Sequence, residues 1–220
     1  MPVDTVIFSG AGPHADRWHS LAETSTALAA LIGDAASVAI VTSVEHLDAA
    51  LDRAHLLVVN ASADRRGPIG EDEDFGRALD TLLARGGSLL ATHSATLAFP
   101  GLPSWRATIG AAWDHDHSFH PPIGFSLVRR TRVGHPITDG LGDIEVFDER
   151  YTDLELVDGA EIEPLYVHEE GGVTHPLVWA RTVGSSRIVY SALGHDVRSY
   201  ESPGHVELLR RSVAWLRHDA

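Results

Sequence analysis

The chain contains no cysteine, and that absence removes disulfides, thiolate metal sites and every mechanism that runs through a cysteine nucleophile. It fits a cytoplasmic location. Positive charge is also scarce. Lys+Arg 17 stand against Asp+Glu 31, a formal net charge of −14, and the basic residues gather no more densely than Arg129-Arg130 with Arg132, or the Arg210-Arg211 pair. Nucleic acid and anionic membrane are therefore poor partners. No apolar run approaches the roughly 18 residues of a membrane helix. Met1-Pro2-Val3-Asp4-Thr5 lacks the basic stretch ahead of an apolar run that marks a secretory leader. The expectation is a soluble protein. Its 220 residues suffice for a substantial core, and no linker, repeat or low-complexity segment divides them, so one domain over residues 1–220 is expected.

What is present begins with alternation. Thr5-Val6-Ile7-Phe8, Val38-Ala39-Ile40-Val41 and Leu56-Leu57-Val58-Val59 read as strands apolar on both faces, as parallel strands are. Between them, Leu21, Leu28, Leu31 and Ile32 form a helical stripe, and a shorter helix is expected across Val44 to Leu51. Phe75, Leu79, Leu82 and Leu83 define a further helix, opened by Glu71-Asp72-Glu73-Asp74 and stopped at Gly86-Gly87. This βαβ order predicts an α/β fold with a mainly parallel sheet, in which ligands bind outside the carboxyl ends of the strands. Ser9-Gly10-Ala11-Gly12, Asn60 and His93 fall at such ends. Beyond His93 a Pro-, Gly- and aromatic-rich stretch from Pro100 to Pro122 leads into strand candidates at Phe125–Val128, Glu161–Val167, Leu177–Ala180 and Arg187–Ser191. Helix periodicity returns only with Val206, Leu209, Val213 and Leu216.

Fourteen histidines are the chemical signature. His93 closes an apolar run, His115, His117 and His120 crowd one loop, His175 opens a strand, and His195 ends Leu193-Gly194-His195. Singly, each is an ordinary hydrogen-bonded loop or core residue, and His46, His55, His205 and His218 are expected to be only that. As a set at strand ends they point to a divalent metal such as zinc, or to proton transfer. Other motifs are weak. Gly10-Ala11-Gly12 lacks the third glycine of a dinucleotide loop, so no nucleotide cofactor is expected. Ser9, Ser94 and Ser191 lie outside any Gly-x-Ser-x-Gly turn.

Six stretches then occur in order: Gly86-Gly87 to Ala95 around Thr92-His93-Ser94; Gly110 to Pro122 with Trp113 and His120-Pro121-Pro122; His135-Pro136-Ile137-Thr138-Asp139-Gly140-Leu141; Phe147-Asp148-Glu149-Arg150-Tyr151; His175-Pro176-Leu177-Val178-Trp179; and Tyr190-Ser191-Ala192-Leu193-Gly194-His195. Together they resemble the ThuA-like, trehalose-utilisation family, which Phe8-Ser9-Gly10 and Trp18-His19-Ser20 match more loosely. The resemblance implies a three-layer α/β/α fold like that of class I glutamine amidotransferases, flavodoxin-like, with an added β-rich region. It also implies a place in disaccharide catabolism. In an amidotransferase a cysteine occupies the turn after the strand that here ends at Thr92. This chain has His93 there, so glutamine-hydrolysing thioester chemistry is excluded, although the elbow still offers a side chain near an expected helix N-terminus.

The expected site follows. Glu149, His93 and His195 are the candidate catalytic residues, with Glu149 or a neutral histidine as base. His93, His117, His120 and His195 are the candidate metal ligands. His19, Trp113, His120, Tyr151, His175 and Trp179 are the expected substrate contacts, the aromatic ones offering faces to a sugar ring. The substrate is a small carbohydrate, a glycoside or its keto derivative. A ring ketone acidifies the neighbouring C–H and permits elimination of a glycosidic oxygen. Direct hydrolysis would want two separated carboxylates, and only Asp148-Glu149 form a pair. Two other classes stay open: a sugar-binding protein without chemistry, and an interaction domain on an amidotransferase-like fold. A homo-oligomer is compatible with all three.

Overall fold

A computed structural model describes residues 4–33 and 37–218; Met1–Val3, part of the stretch expected to lack a leader, lie outside them. The first half is the expected alternation. Strands β1 (Thr5–Ser9), β2 (Val38–Val41), β3 (Leu56–Asn60) and β4 (Ser88–Thr92) are separated by helices α1 (Leu21–Ile32), α2 (Leu47–Leu51, entered through a single turn at Val44–His46) and α3 (Asp72–Ala84). All five residues of β1, β3 and β4 are buried, which is why they read as unbroken apolar runs. α3 starts under three acidic residues, Asp72, Glu73 and Asp74, and the chain leaves it through Gly86 at φ 79°, a backbone region open to glycine at little cost.

The second half adds α4 (Pro103–Ile109), β5 (Ala111–Ala112), β6 (Gly124–Arg130), β7 (Ile144–Asp148), β8 (Glu155–Leu156), β9 (Glu163–Glu170), β10 (Val173–Val183), β11 (Ser186–Ser191) and α5 (Pro203–Leu216). One nine-stranded sheet runs β2-β1-β3-β4-β11-β10-β9-β6-β7. β11 returns to lie parallel to β4, so five strands form a parallel half. β10, β9, β6 and β7 continue the sheet antiparallel, and this extension is the β-rich addition. α4 was invisible to periodicity because its seven residues offer too short a stripe, with Trp105 and Ile109 buried. β5 pairs with β8 and Phe119 bridges Thr152. These contacts fasten the 111–122 loop to the chain following β7.

His93 stands at the turn out of β4 with φ 44°, a left-handed conformation uncommon for a residue with a Cβ and a frequent mark of functional sites. Its carbonyl accepts the Tyr190 hydroxyl at 2.8 Å, which helps to hold the turn. The expected helix N-terminus is absent there. Only a 3-10 turn at His93–Thr96 follows, too short to carry an appreciable dipole. Among the described residues no helix is long and apolar enough to cross a membrane.

Candidate functional site

Three carboxyl ends and one antiparallel strand end converge. His19 follows β1, His93 follows β4, His195 follows β11, and Glu149 follows β7. One ligand atom from each lies within 4.8 Å of all the others. Glu149 Oε2 is 3.4 Å from His93 Nε2 and 3.1 Å from His195 Nδ1, and Oε1 is 3.5 Å from His120 Nε2. The His19, His93 and His195 rings sit edge-on at centroid separations of 4.9 to 5.3 Å.

The ring orientations are set from behind. His93 Nδ1–H donates to the Ala192 carbonyl at 2.6 Å, which turns Nε2 toward Glu149 and the Tyr151 hydroxyl, 3.0 Å away. His19 Nδ1–H donates to Asp16 Oδ2 at 2.7 Å, leaving Nε2 with a free lone pair. The other Asp16 oxygen caps the backbone N–H groups of Trp18 and His19, and Ser62 donates to Asp16 Oδ2 at 2.5 Å. A carboxylate or carbonyl behind an imidazole is how proteins fix the tautomer and direction of a metal-binding histidine. His195 Nδ1 is buried and has no hydrogen bond of acceptable direction despite its approach to Glu149. An orphaned imidazole nitrogen facing two other imidazoles and a carboxylate is chemically suited to a divalent cation.

The electrostatics of the group follow from these contacts and from burial. Burial pushes the Glu149 carboxyl upward, but the imidazoles of His195 and His93 beside it outweigh that and hold it well below the ordinary carboxylate range. Burial pulls His19 down more than Asp16 raises it, so His19 stays neutral near pH 7. Burial also lowers His195, but Glu149 prevails and its net shift is upward. Burial raises the Tyr151 hydroxyl well above its usual value, so it keeps its proton and donates toward His93.

Above this group opens a cleft of about 680 Å³, lined among others by Trp18, Trp113, His115, His120, Tyr151 and Arg65. That is within the range of small-molecule sites, about 300–1,000 Å³. Trp18 is 55 % exposed and the Arg17 guanidinium lies over its ring at 4.6 Å. Trp113 packs edge-on against Tyr151 at 4.8 Å.

His93, His195, Glu149 and His19 thus come together, with His120, Tyr151 and Trp113 around them. Three expected residues are placed elsewhere. His117 points outward, its side chain 78 % exposed and bonded to Asp114, because the loop turns away after Trp113. His175 is buried on β10 against His168 and Asp153. Trp179 is wholly buried, its indole N–H spent on the Ile109 carbonyl at 2.8 Å. Of the set His93, His117, His120 and His195, the structure brings His93 and His195 together with His19 and Glu149, keeps His120 beside Glu149 and turns His117 away. Ser9, Ser94 and Ser191 are satisfied by backbone partners. Sequence reasoning gave Trp18 and Asp16 no role in the site, and it named Asp148 only beside Glu149, as one of two carboxylates of which either could be the general base. The Asp16-x-x-His19 spacing was the available signal for Asp16, since it allows a carboxylate to buttress an imidazole.

The model of the ThuA family, trehalose utilisation, matches residues 5–216. The chain belongs to the ThuA family. A ThuA-like protein from Parabacteroides merdae superimposes with a TM-score of 0.78 at 18 % identity, covering 98 % of this chain and 90 % of that one. A ThuA-like protein from Bacteroides uniformis does so with 0.71 at 15 %, covering 98 % and 91 %. A GMP synthase subunit from Thermoplasma acidophilum gives 0.57 at 13 %, covering 100 % and 96 %. At such identities these likenesses establish the fold, ThuA-like and amidotransferase-like, and no more. Comparison with curated proteins gives no match. Membership of the ThuA family associates the chain with carbohydrate metabolism.

Proposed function

We propose that the protein is a carbohydrate-processing enzyme, a metal-assisted lyase or hydrolase acting on a glycoside or its keto derivative in the breakdown of trehalose or a related disaccharide. The observation that carries this is the convergence of three imidazoles and one carboxylate beside a cleft that His19, Glu149 and His195 line together with Trp18 and Trp113. His19, His93, Glu149 and His195 are the residues that would hold a divalent metal, for which zinc suits the donor set. When bound it supplies Lewis acidity toward a substrate oxygen, stabilising the charge that develops when a C–H beside a carbonyl loses its proton.

The chain's own residues do the rest. Glu149, expected as the base, serves better as an anionic ligand because its carboxyl is held so low. His120 takes the proton-moving role. Its Nδ1 donates to the Pro121 carbonyl at 3.0 Å, leaving Nε2 as acceptor, and its side chain, 37 % exposed, reaches the cleft. In an elimination, Nε2 accepts the C–H proton, the glycosidic C–O bond breaks, and the same imidazolium returns the proton to the departing oxygen. Tyr151 keeps its proton; its hydroxyl donates to His93 Nε2 and would release that nitrogen when it ligates a metal. Trp18 and Trp113 offer ring faces to the sugar.

The test is elemental analysis of untagged protein purified without added metal, repeated on His93→Ala, alongside turnover of glycosides and keto-glycosides. Near-stoichiometric metal that disappears in the variant, with turnover that disappears too, supports the proposal. Protein that takes up no metal on supplementation and turns nothing over defeats it, and sugar binding without turnover assigns the cleft to recognition alone.

A further inference from the structure

The buried carboxylate of Asp148 is part of no pair with a basic side chain among the described residues, yet it is fully engaged. Oδ1 accepts the Glu149 N–H at 2.8 Å and the His195 N–H at 3.2 Å. Oδ2 accepts the Gly194 N–H at 2.7 Å and the Ser199 hydroxyl. Two of these four donors are the backbone amides of two members of the converging group. Asp148 ends an edge strand of the antiparallel extension, whereas Gly194 and His195 leave β11 in the parallel half. One carboxylate therefore ties together the chain segments that deliver Glu149 from one side and His195 from the other.

The surroundings are built to keep it there. The alternation of β7, with Ile144, Val146 and Asp148 buried, puts Asp148 on the core face and leaves the next residue to turn into the cleft. Gly194 has φ 124°, and a Cβ there would stand 2.9 Å from the Tyr200 hydroxyl, so the segment passes where only glycine fits. Because the Ser199 hydroxyl donates to Asp148, its oxygen is free to accept from His205 Nδ1–H at 2.9 Å. His205 lies in the first turn of α5, so the carboxylate is anchored to that helix as well.

We infer that Asp148 is the positioning residue of the site: it fixes the backbone of Glu149 and His195 so that their side chains meet, without touching substrate or metal. The inference leans on the proposed function only for the choice of zinc as a probe. Asparagine at this position keeps the shape but presents an NH2 group to donors, so Asp148→Asn turns attraction into opposition for at least one N–H.

Two readouts on the whole chain test it: titration with Zn²⁺ alone, and amide hydrogen exchange at Glu149, Gly194 and His195 against Leu57 and Leu90 in the core strands. In the wild type the three amides should exchange slowly. In Asp148→Asn they should exchange roughly tenfold faster or more while Leu57 and Leu90 hold, and Zn²⁺ affinity should fall about 10- to 100-fold. Ser199→Ala removes a donor but none of the three backbone ties, and should stay within about threefold of wild type in affinity. Equal losses in both variants would make Asp148 general core polarity, and Asp148→Asn with unchanged exchange and affinity would overturn the inference outright. If Asp148→Asn does not fold, fast exchange of the three wild-type amides overturns it and slow exchange supports it. If the wild type binds no Zn²⁺, the metal reading fails by itself and exchange alone decides the role of Asp148.

Discussion

The two halves of the sheet differ in how they are built and in what they give the site. In the parallel half, β1, β3 and β4 are buried on both faces, and the carboxyl ends of β1, β4 and β11 supply imidazoles. In the antiparallel extension, β6 alternates between buried Val128 and outward Phe125 and Leu127, 88 % and 50 % exposed, and the carboxylates come from the end of β7. The cluster exists only where the halves meet. Neither half holds all four of these side chains, so the parallel core and its addition build the group jointly.

The sharpest way to break that joint is to remove one member of the group from either side. His93→Ala and Glu149→Gln should each lower Zn²⁺ affinity by roughly 100-fold or more, since loss of a supporting partner already costs about 10- to 100-fold; isothermal titration measures this. A variant from one half that leaves affinity intact would mean the cluster is not shared between them. Next in size is packing. Leu57→Ala, at a wholly buried position of β3, should cost about 2–5 kcal/mol, whereas Leu127→Ala on β6 should cost well under about 1 kcal/mol, both read from denaturant midpoints. Trp18→Ala should raise the KM or Kd for the sugar about three- to tenfold, the worth of an aromatic contact, while leaving Zn²⁺ affinity unchanged.

The smallest effect is a pH dependence. Burial lowers His205, His168 and His135 below their ordinary 6.5. Each is neutral in the fold at pH values where the unfolded chain already binds a proton. Their contribution is therefore fully present above about 6.5 and is lost as pH falls from there toward the depressed folded values. The unfolding midpoint should drop between pH 7.5 and 5.5, and His205→Asn should flatten that drop.

The parallel half was legible because double-sided burial writes itself as continuous apolar runs, and α3 because thirteen residues give a full stripe. α4 and the short β5–β8 pair left no such trace, being held by tertiary contacts rather than by period. Among site residues, His93 and His195 announced themselves by ending apolar strands, and Glu149 by following one. His117 and Trp179 did not differ from true neighbours of the cleft in type or spacing. Their exclusion came from a loop turning outward and from an indole drawn into the core by the Ile109 carbonyl.

The sequence by itself determined the α/β alternation, the absence of thiol chemistry and the presence of imidazoles at strand ends, because these are properties of residue type and local period. Which four side chains converge was decided only by tertiary structure. The distances among residues 19, 93, 149 and 195 depend on β11 returning beside β4 and on β7 being tied back to Gly194 and His195, and no local pattern encodes a contact between strands so far apart in the chain.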